Sequence, residues 1–372
     1  MMMIVTSSST TNAQHRMRAQ PLGIFDTPQW RINDEIIHLR EWGTGFVHPL
    51  PSGRGRAGAI IGAARNSWLR IKSSPGVAPQ HARLARAGDR WTLRDLGDSA
   101  AGVRVDGIEH SVVSLAPGSE IELGGITLIA ESPRLVALRE LLARFLSWAP
   151  ERAGEVDLAL RAVRMAALRR TPLLLCGCAS DVLSAARLLH QHTFGNERPF
   201  VVCATRQATL ASGRDAIIIA NPLRALSAAA GGTLCIWQGR RLAKLVPAIQ
   251  RPALRTQLMV CTAQPLPTDT LFRSPIVLPT LRRRAAELDR LIDEYLVEAC
   301  AEFGGTFLPV DRTWIRRYDV ATHASIESAA RRAVALRRND GAINRTARVL
   351  GMAHSALSEW VARRNMPDLA ID

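Results

Sequence analysis

The chain has 372 residues, 47% of them apolar and 22% charged, and Lys+Arg exceed Asp+Glu by 48 − 33 = 15. That length suits two or three domains of about 150 residues each. The composition excludes a disordered polymer, and no apolar run approaches the ~18 residues that span a bilayer, which excludes a membrane-spanning helix. The positive excess is almost wholly arginine, because Lys72 and Lys244 are the only lysines. A field of that sign makes nucleic acid the first partner to consider. Residues 1–40 read as a flexible N-terminal tail: Met1–Gln20 holds no acidic residue and no continuous apolar segment of secretory type. The six cysteines sit mostly in apolar, strand-like runs such as LLLCGC and TLCIW. They read as buried thiols of a reducing cytoplasm, with no zinc spacing around Cys176-x-Cys178.

Residues 41–131 read as β structure. The runs AIIGA, WLRIK, RWTLRDL, VRVDGIE, SVVSL and IELGGITLIA are short and apolar, and Gly, Pro, Asp and Ser turns separate them. Several short strands at regular spacing predict a β-sandwich. The order Ile61-Gly62, then Gln80-His81, Asp95-Leu96, Gly102, Asp106-Gly107 and Ile121-Glu122-Leu123-Gly124 resembles the forkhead-associated (FHA) domain. That family's pattern is I-G-R, S-x-x-H, D-x-x-S-x-N-G-T, N-G and a closing I-x-L-G. The resemblance implies a sandwich whose loops bind phosphothreonine. This sequence departs from the family at the chemistry, since Ala63 takes the place of the phosphate-binding Arg, Ala78 of the Ser and Ala101 of the Asn. Gly62 and His81 remain, which the resemblance makes scaffold residues, and Arg65, two residues on, and His81 are the phosphopeptide-binding candidates.

Residues 132–305 alternate helices and strands. Leu135, Leu138, Leu142 and Phe145 make one helical stripe between Pro133 and Pro150, and Val156–Arg169 is amphipathic. TPLLLCG, PFVVCAT, DAIIIANP, GGTLCIW and QLMVCTA are buried-strand runs, with a helix over Asp181–Gln191, and the alternation predicts a parallel α/β sheet. The order of Gly177, Pro199-Phe200-Val201, Gly231-Gly232-Thr233-Leu234 and Leu278-Pro279-Thr280-Leu281-Arg282 resembles the AAA+ domain of sigma-54-dependent enhancer-binding activators. The resemblance implies a P-loop core, with its reactive groups gone. Leu183 stands at the place of the nucleotide-binding Lys, and Trp237 and Gln238 stand at the places of the acidic pair. A P-loop needs backbone N–H groups, a Lys and metal-binding carboxylates to act on ATP. The core therefore reads as catalytically inactive, with no nucleotide, metal or cofactor and no enzyme activity.

Residues 280–372 read as helical apart from a break at Gly304–Pro309, and 306–372 are taken as the C-terminal domain. AINRTARVLGMAHSALSEWVARR has helix-turn-helix spacing, with small Ala347 where two helices close and Gly351 in the turn. It resembles the Fis-type helix-turn-helix that ends enhancer-binding activators. Eight arginines against Asp340 and Glu359 make residues 331–366 locally basic. Arg345, Arg348, Arg363 and Arg364 are candidates for phosphates or guanine edges, and Ser355 and Ser358 lie on the expected recognition helix, Ser355–Arg364. Trp360 reads as core.

The expected fold class is multidomain α+β: an FHA-like β-sandwich, a central α/β P-loop AAA+-like domain and a C-terminal helical helix-turn-helix. The expected function is transcription regulation by a cytoplasmic homodimer on double-stranded DNA. The sandwich docks a protein or phosphoprotein, and no membrane is involved. The alternatives are an FHA-type adaptor without DNA binding and a true sigma-54-dependent ATPase.

Overall fold

A computed structural model describes residues 28–29, 34–51, 58–71, 76–97, 102–204, 216–237, 255–264 and 275–364. Most of the expected N-terminal tail lies outside the described residues, as do Gln238 and Ala101.

Eleven described strands build the N-terminal part. They are β1 (His38–Glu41), β2 (Val47–Pro49), β3 (Ala59–Gly62), β4 (Leu69–Arg70), β5 (Ala82–Ala87), β6 (Arg90–Asp95), β7 (Val103–Val105), β8 (Ile108–Glu109), β9 (Val112–Ser114), β10 (Glu120–Leu123) and β11 (Ile126–Glu131). They form two sheets, ordered β2-β1-β11-β10-β7-β8 and β4-β3-β5-β6-β9. Side chains alternate across a strand. Leu39, Ile121, Leu123, Leu128 and Ala130 of the first sheet therefore meet Ile61, Leu84, Trp91 and Leu93 of the second in one core. The sandwich begins at β1, so residues 38–40, expected in the tail, are structural.

The outer face of the first sheet is buried where Arg40, Glu120 and Glu131 lie, while Arg104 on β7 stays exposed. Helix α2 (Ala153–Arg169) covers the buried part, and α1 (Pro133–Leu146) follows β11 with only Ser132 between, its hydroxyl capping the helix. Arg40 and Asp157 are both buried. Arg40 donates through both terminal nitrogens to the Asp157 carboxylate at 2.8 Å and through Nε to Glu131 at 2.9 Å. Gly43 N and Arg139 Nε also donate to Asp157, at 2.7 and 3.1 Å. Further along α2, Arg164 donates to Glu120 at 2.9 Å, and Arg161 pairs with Glu120 while lying over the Trp42 ring. Alternation explains these positions, since the residues of β1, β10 and β11 that point away from the sandwich core are the charged ones that α2 needs.

The second part is a six-stranded parallel sheet. Its strands are β12 (Leu173–Cys176), β13 (Phe200–Cys203), β14 (Ile217–Ile218), β15 (Thr233–Trp237), β16 (Gln257–Thr262) and β17 (Ile276–Val277), ordered β14-β13-β15-β16-β12-β17. Helices α1, α2 and α3 (Ala179–Phe194) cover one face, and α4 (Pro222–Ala228) packs on the other. Near-continuous apolar strands such as LLLC and FVVC fit a sheet buried on both faces.

The third part has one core running from Leu281 to Trp360. It is built by α5 (Leu288–Phe303), α6 (Pro309–Tyr318), α7 (His323–Arg338), α8 (Ile343–Leu350) and α9 (His354–Ala362). The boundary expected at residue 305 falls inside this core, because α5 supplies Leu291, Ile292, Tyr295 and Leu296 to the same cluster as α7 and α9. Among the described residues no helix is long and apolar enough to cross a membrane.

Burial gives the α/β part and the helical part that follows it an acid-sensitive interior. His190 bridges Thr233 Oγ1 at 2.8 Å and the Arg198 carbonyl at 3.1 Å, and desolvation pushes its pKa down to about 4. Desolvation likewise holds His323 near 3. A histidine whose folded pKa lies below its unfolded value lends stability that is complete above pH ~6.5 and is lost as pH falls through the folded pKa. Asp181, raised by burial to about 6, acts in the opposite sense and favours the fold as pH falls below 6. The two histidines outweigh it. The thermal midpoint is expected to fall between pH 7 and pH 4.5, and to fall less in His190→Gln. Equal falls in both proteins would show that His190 does not contribute.

Candidate functional site

Two places gather the residues singled out by sequence. The first is the loop end of the sandwich. Gly62 ends β3 so close to the β4–β5 loop that a Cβ there would lie 2.2 Å from the Pro79 carbonyl oxygen. Only glycine fits. The approach is held by Ala63 N donating to Ala78 O at 2.9 Å and Ala64 N donating to Pro79 O at 3.0 Å.

His81 sits beneath this contact and is fully buried. Its Nε2 is 2.8 Å from the Gly102 carbonyl, and its Nδ1 accepts from Ala78 N at 3.3 Å. The ring ties the β4–β5 loop to the β6–β7 loop. His81 is therefore a scaffold residue and not a surface contact, which corrects its place among the phosphopeptide-binding candidates. His81→Ala leaves a cavity and unpaired loop groups, with an expected loss of about 2–4 kcal/mol. Urea unfolding followed by Trp91 and Trp68 fluorescence measures it, and an unchanged midpoint would contradict the role.

Ala78 is buried and Ala63 half-buried, so the positions that would present Ser and Arg present methyl groups. Arg65 is exposed on the β3–β4 loop, beside exposed Asn66 and half-buried Ser67, whose Oγ reaches Pro79 O at 3.4 Å. Sequence reasoning passed over Asn66 and Ser67. Their polar pairing next to the obligatory Gly62 was the available signal.

The second place is the α8–α9 pair. Gly351 ends α8 in the left-handed region at φ +60°, and the chain turns into α9. Ala347, Leu350, Leu357 and Trp360 face the helical core. Trp360 stands edge-on to Trp314 of α6 at 4.8 Å. Arg345, Arg348, Ser355 and Arg363 are exposed, and Ser358 is half-buried. Arg363 pairs within its own helix with Glu359.

Arg364 differs from the expectation. Its Nη2 and Nε donate to the Asp319 carboxylate at 2.8 and 3.2 Å, and its guanidinium lies over the Trp360 ring. This side chain bolts α9 to the end of α6 and does not point outward.

The end of β12, where a P-loop would cradle phosphate, is filled by the protein itself. A Cβ on Gly177 would meet Leu278 Cβ at 3.1 Å, and Leu183 is buried in the core under α3. Asp181, in the first turn of α3, is buried, and its carboxylate accepts from the backbone N–H groups of His323 and Ala324 at the start of α7. The first turns of two helices thus meet across one carboxylate. Among the described residues no group of three or more His, Cys, Asp or Glu side chains is placed to hold a metal ion.

Residues 55–124 match the FHA domain family, so the sandwich is an FHA domain. No curated protein matches the chain. Among solved structures, an FHA domain described for phosphothreonine-dependent interactions is 27% identical. The match spans 25% of this chain and 93% of that one, with a TM-score of 0.23. The FhaA FHA domain, solved with an intracellular domain of another protein, is 28% identical over 25% of this chain and 96% of that chain, with a TM-score of 0.22. Mycobacterium tuberculosis EmbR, solved with a low-affinity phosphopeptide, is 24% identical over 25% of this chain and 24% of its own, with a TM-score of 0.23.

Proposed function

We propose that the protein is a DNA-binding transcription regulator. Its FHA domain docks a protein partner, its catalytically inactive AAA+-like core provides architecture, and α8–α9 hold the duplex. The observation that carries the DNA reading is the pair of exposed arginines beside the α8–α9 turn, in a chain where many other arginines are held internally. Arg40, Arg139, Arg144, Arg164, Arg284, Arg312, Arg337 and Arg364 are each tied to a carboxylate. Arg345 and Arg348 are exposed on α8, beside the turn, and meet no carboxylate among the described residues. In a helix-turn-helix the first helix crosses the phosphate backbone and the second enters the major groove with its N-terminal residues on base edges. Arg345 and Arg348 suit the first role. Ser355 and Ser358 suit the second, and Arg363 flanks them.

Support for the AAA+-like reading of the core comes from the parallel sheet and from the glycine after β12 that leads into α3. Support for its inactivity comes from Leu183 in the apolar core, Trp237 where a carboxylate would stand, and the closed first turn of α3. On this reading the purified chain turns over no ATP.

The partner of the sandwich is a protein, and the FHA match favours one that carries phosphothreonine, met by Arg65 on the loop rim. The regulator acts as a homodimer on a two-fold site.

The test uses the full chain, because the helical core begins at Leu281 and a tail fragment would cut it. Labelled genomic duplexes should shift on a native gel at low salt, and the shift should weaken as salt rises. No shift at low salt would remove the DNA reading and leave a phosphothreonine-dependent adaptor.

A further inference from the structure

Ion pairs with α2 cover part of the first sheet of the FHA domain, but among the described residues no element packs on the outer face of the second sheet, and that face has one sign of charge. Register and alternation place Ile60, Arg70, Arg83, Ala85, Ala87, Arg90, Thr92, Arg94, Val112 and Ser114 on that outer face. Four of these are arginines, all exposed, and none is a carboxylate. Arg83 and Arg94 stand directly opposite each other in the antiparallel β5–β6 register. Like charges in that position destabilise a sheet, by an amount comparable to the ~0.2–1 kcal/mol that a good pair contributes. Among the described residues none of the arginines at 70, 83, 90 and 94 is joined to a carboxylate, whereas nearby Arg86 reaches Glu35 and stacks over Trp91. The Arg83–Arg94 pair is flanked in the same cross-strand row by Ile60 on one side and exposed Val112 on the edge strand β9.

We propose that this face is a second docking surface of the FHA domain, separate from its loop end, and that it takes an extended acidic segment of a partner protein. Two clustered guanidinium groups with no anion of their own ask for carboxylates from outside. The apolar residues at both ends of the row favour a peptide over a nucleic-acid backbone, which offers nothing for Ile60 and Val112 to bury against. The face lies beyond the Ala63, Ala78 and Arg65 loops, so it requires no phosphate and stays open whether or not the loop end is filled.

Arg94→Glu in the full chain is the test, because it turns the opposed cations into a cross-strand ion pair. The variant should unfold at a temperature equal to or above that of the parent. The probe is a fluorescein-labelled peptide of alternating glutamate and valine, followed by anisotropy. The parent should bind it saturably, and Arg94→Glu should weaken binding on the order of tenfold or more. Arg282→Glu/Arg283→Glu, at two exposed arginines before α5, matches or exceeds the change in net charge and should leave peptide binding unaltered. Absence of saturable binding by the parent, equal binding by Arg94→Glu, or equal loss in the Arg282/Arg283 variant would each overturn the proposal. So would a loss confined to duplex DNA, which would make the face a nucleic-acid surface.

Discussion

Asp157→Ala is expected to lower stability by about 3–5 kcal/mol, because it strands buried cations rather than removing a surface pair. Asp157 has no exposed surface, and it receives four donated hydrogen bonds from Arg40, Gly43 and Arg139. Arg40 is itself buried and keeps only Glu131 as a charged partner after the substitution. The hydrogen bonds and charges from Asp157 and Glu131 overcome the desolvation that opposes its cation and hold its pKa above the ordinary value. Because the chain has several cores, the loss should first appear as release of the sandwich from α2 rather than as global unfolding. Limited proteolysis near Ser132 and a new low-temperature calorimetric transition would report it. Arg40→Met/Asp157→Leu should recover much of the loss, since an apolar pair of similar volume carries no desolvation cost. A calorimetric trace of Asp157→Ala that overlays the parent would show that the cluster does not hold the two parts together.

Arg345→Ala/Arg348→Ala is expected to reduce the slope of log K against log salt by about 1.8, at ~0.9 per lost phosphate contact. Scaled to ~0.1 M salt, that slope change corresponds to binding weaker by roughly 60-fold. Folding should be unaffected, because both side chains are exposed and carry no ion pair among the described residues. Arg364→Ala should behave in the opposite way. It removes the Asp319 pair and the Trp360 contact, so it should lower the thermal midpoint while leaving the salt slope near the parent value. If Arg364→Ala changes the slope and the α8 double variant does not, the assignment of the DNA-facing side is reversed.

The elements legible in the sequence were those whose burial follows a simple period. The stripe of Leu135, Leu138, Leu142 and Phe145 became α1, and the unbroken apolar runs became the central strands of the parallel sheet. Strand β5 escaped notice because ARLARA has helix-favouring composition, and only its alternation of buried Ala82 and Leu84 with exposed Arg83 marks a strand. Strand β17 is two residues long and owes its existence to pairing with β12, which no local window contains.

Charge was the least legible quantity. A residue count treats Arg40, Arg345 and Arg364 alike. In the fold the first lies between two carboxylates, the second meets solvent and the third joins two helices. His81 is a buried tie between loops, the scaffold role that the family resemblance implies and that a residue count alone does not show.

The charged seam between α2 and the first sheet also bears on how such a chain can be inherited. Here a transplanted sandwich would have to bring a cation to Asp157 and an anion to Arg164 at the correct places on its strands. Recombination at Ser132 would leave both unmatched, a buried carboxylate and a buried guanidinium without their partners.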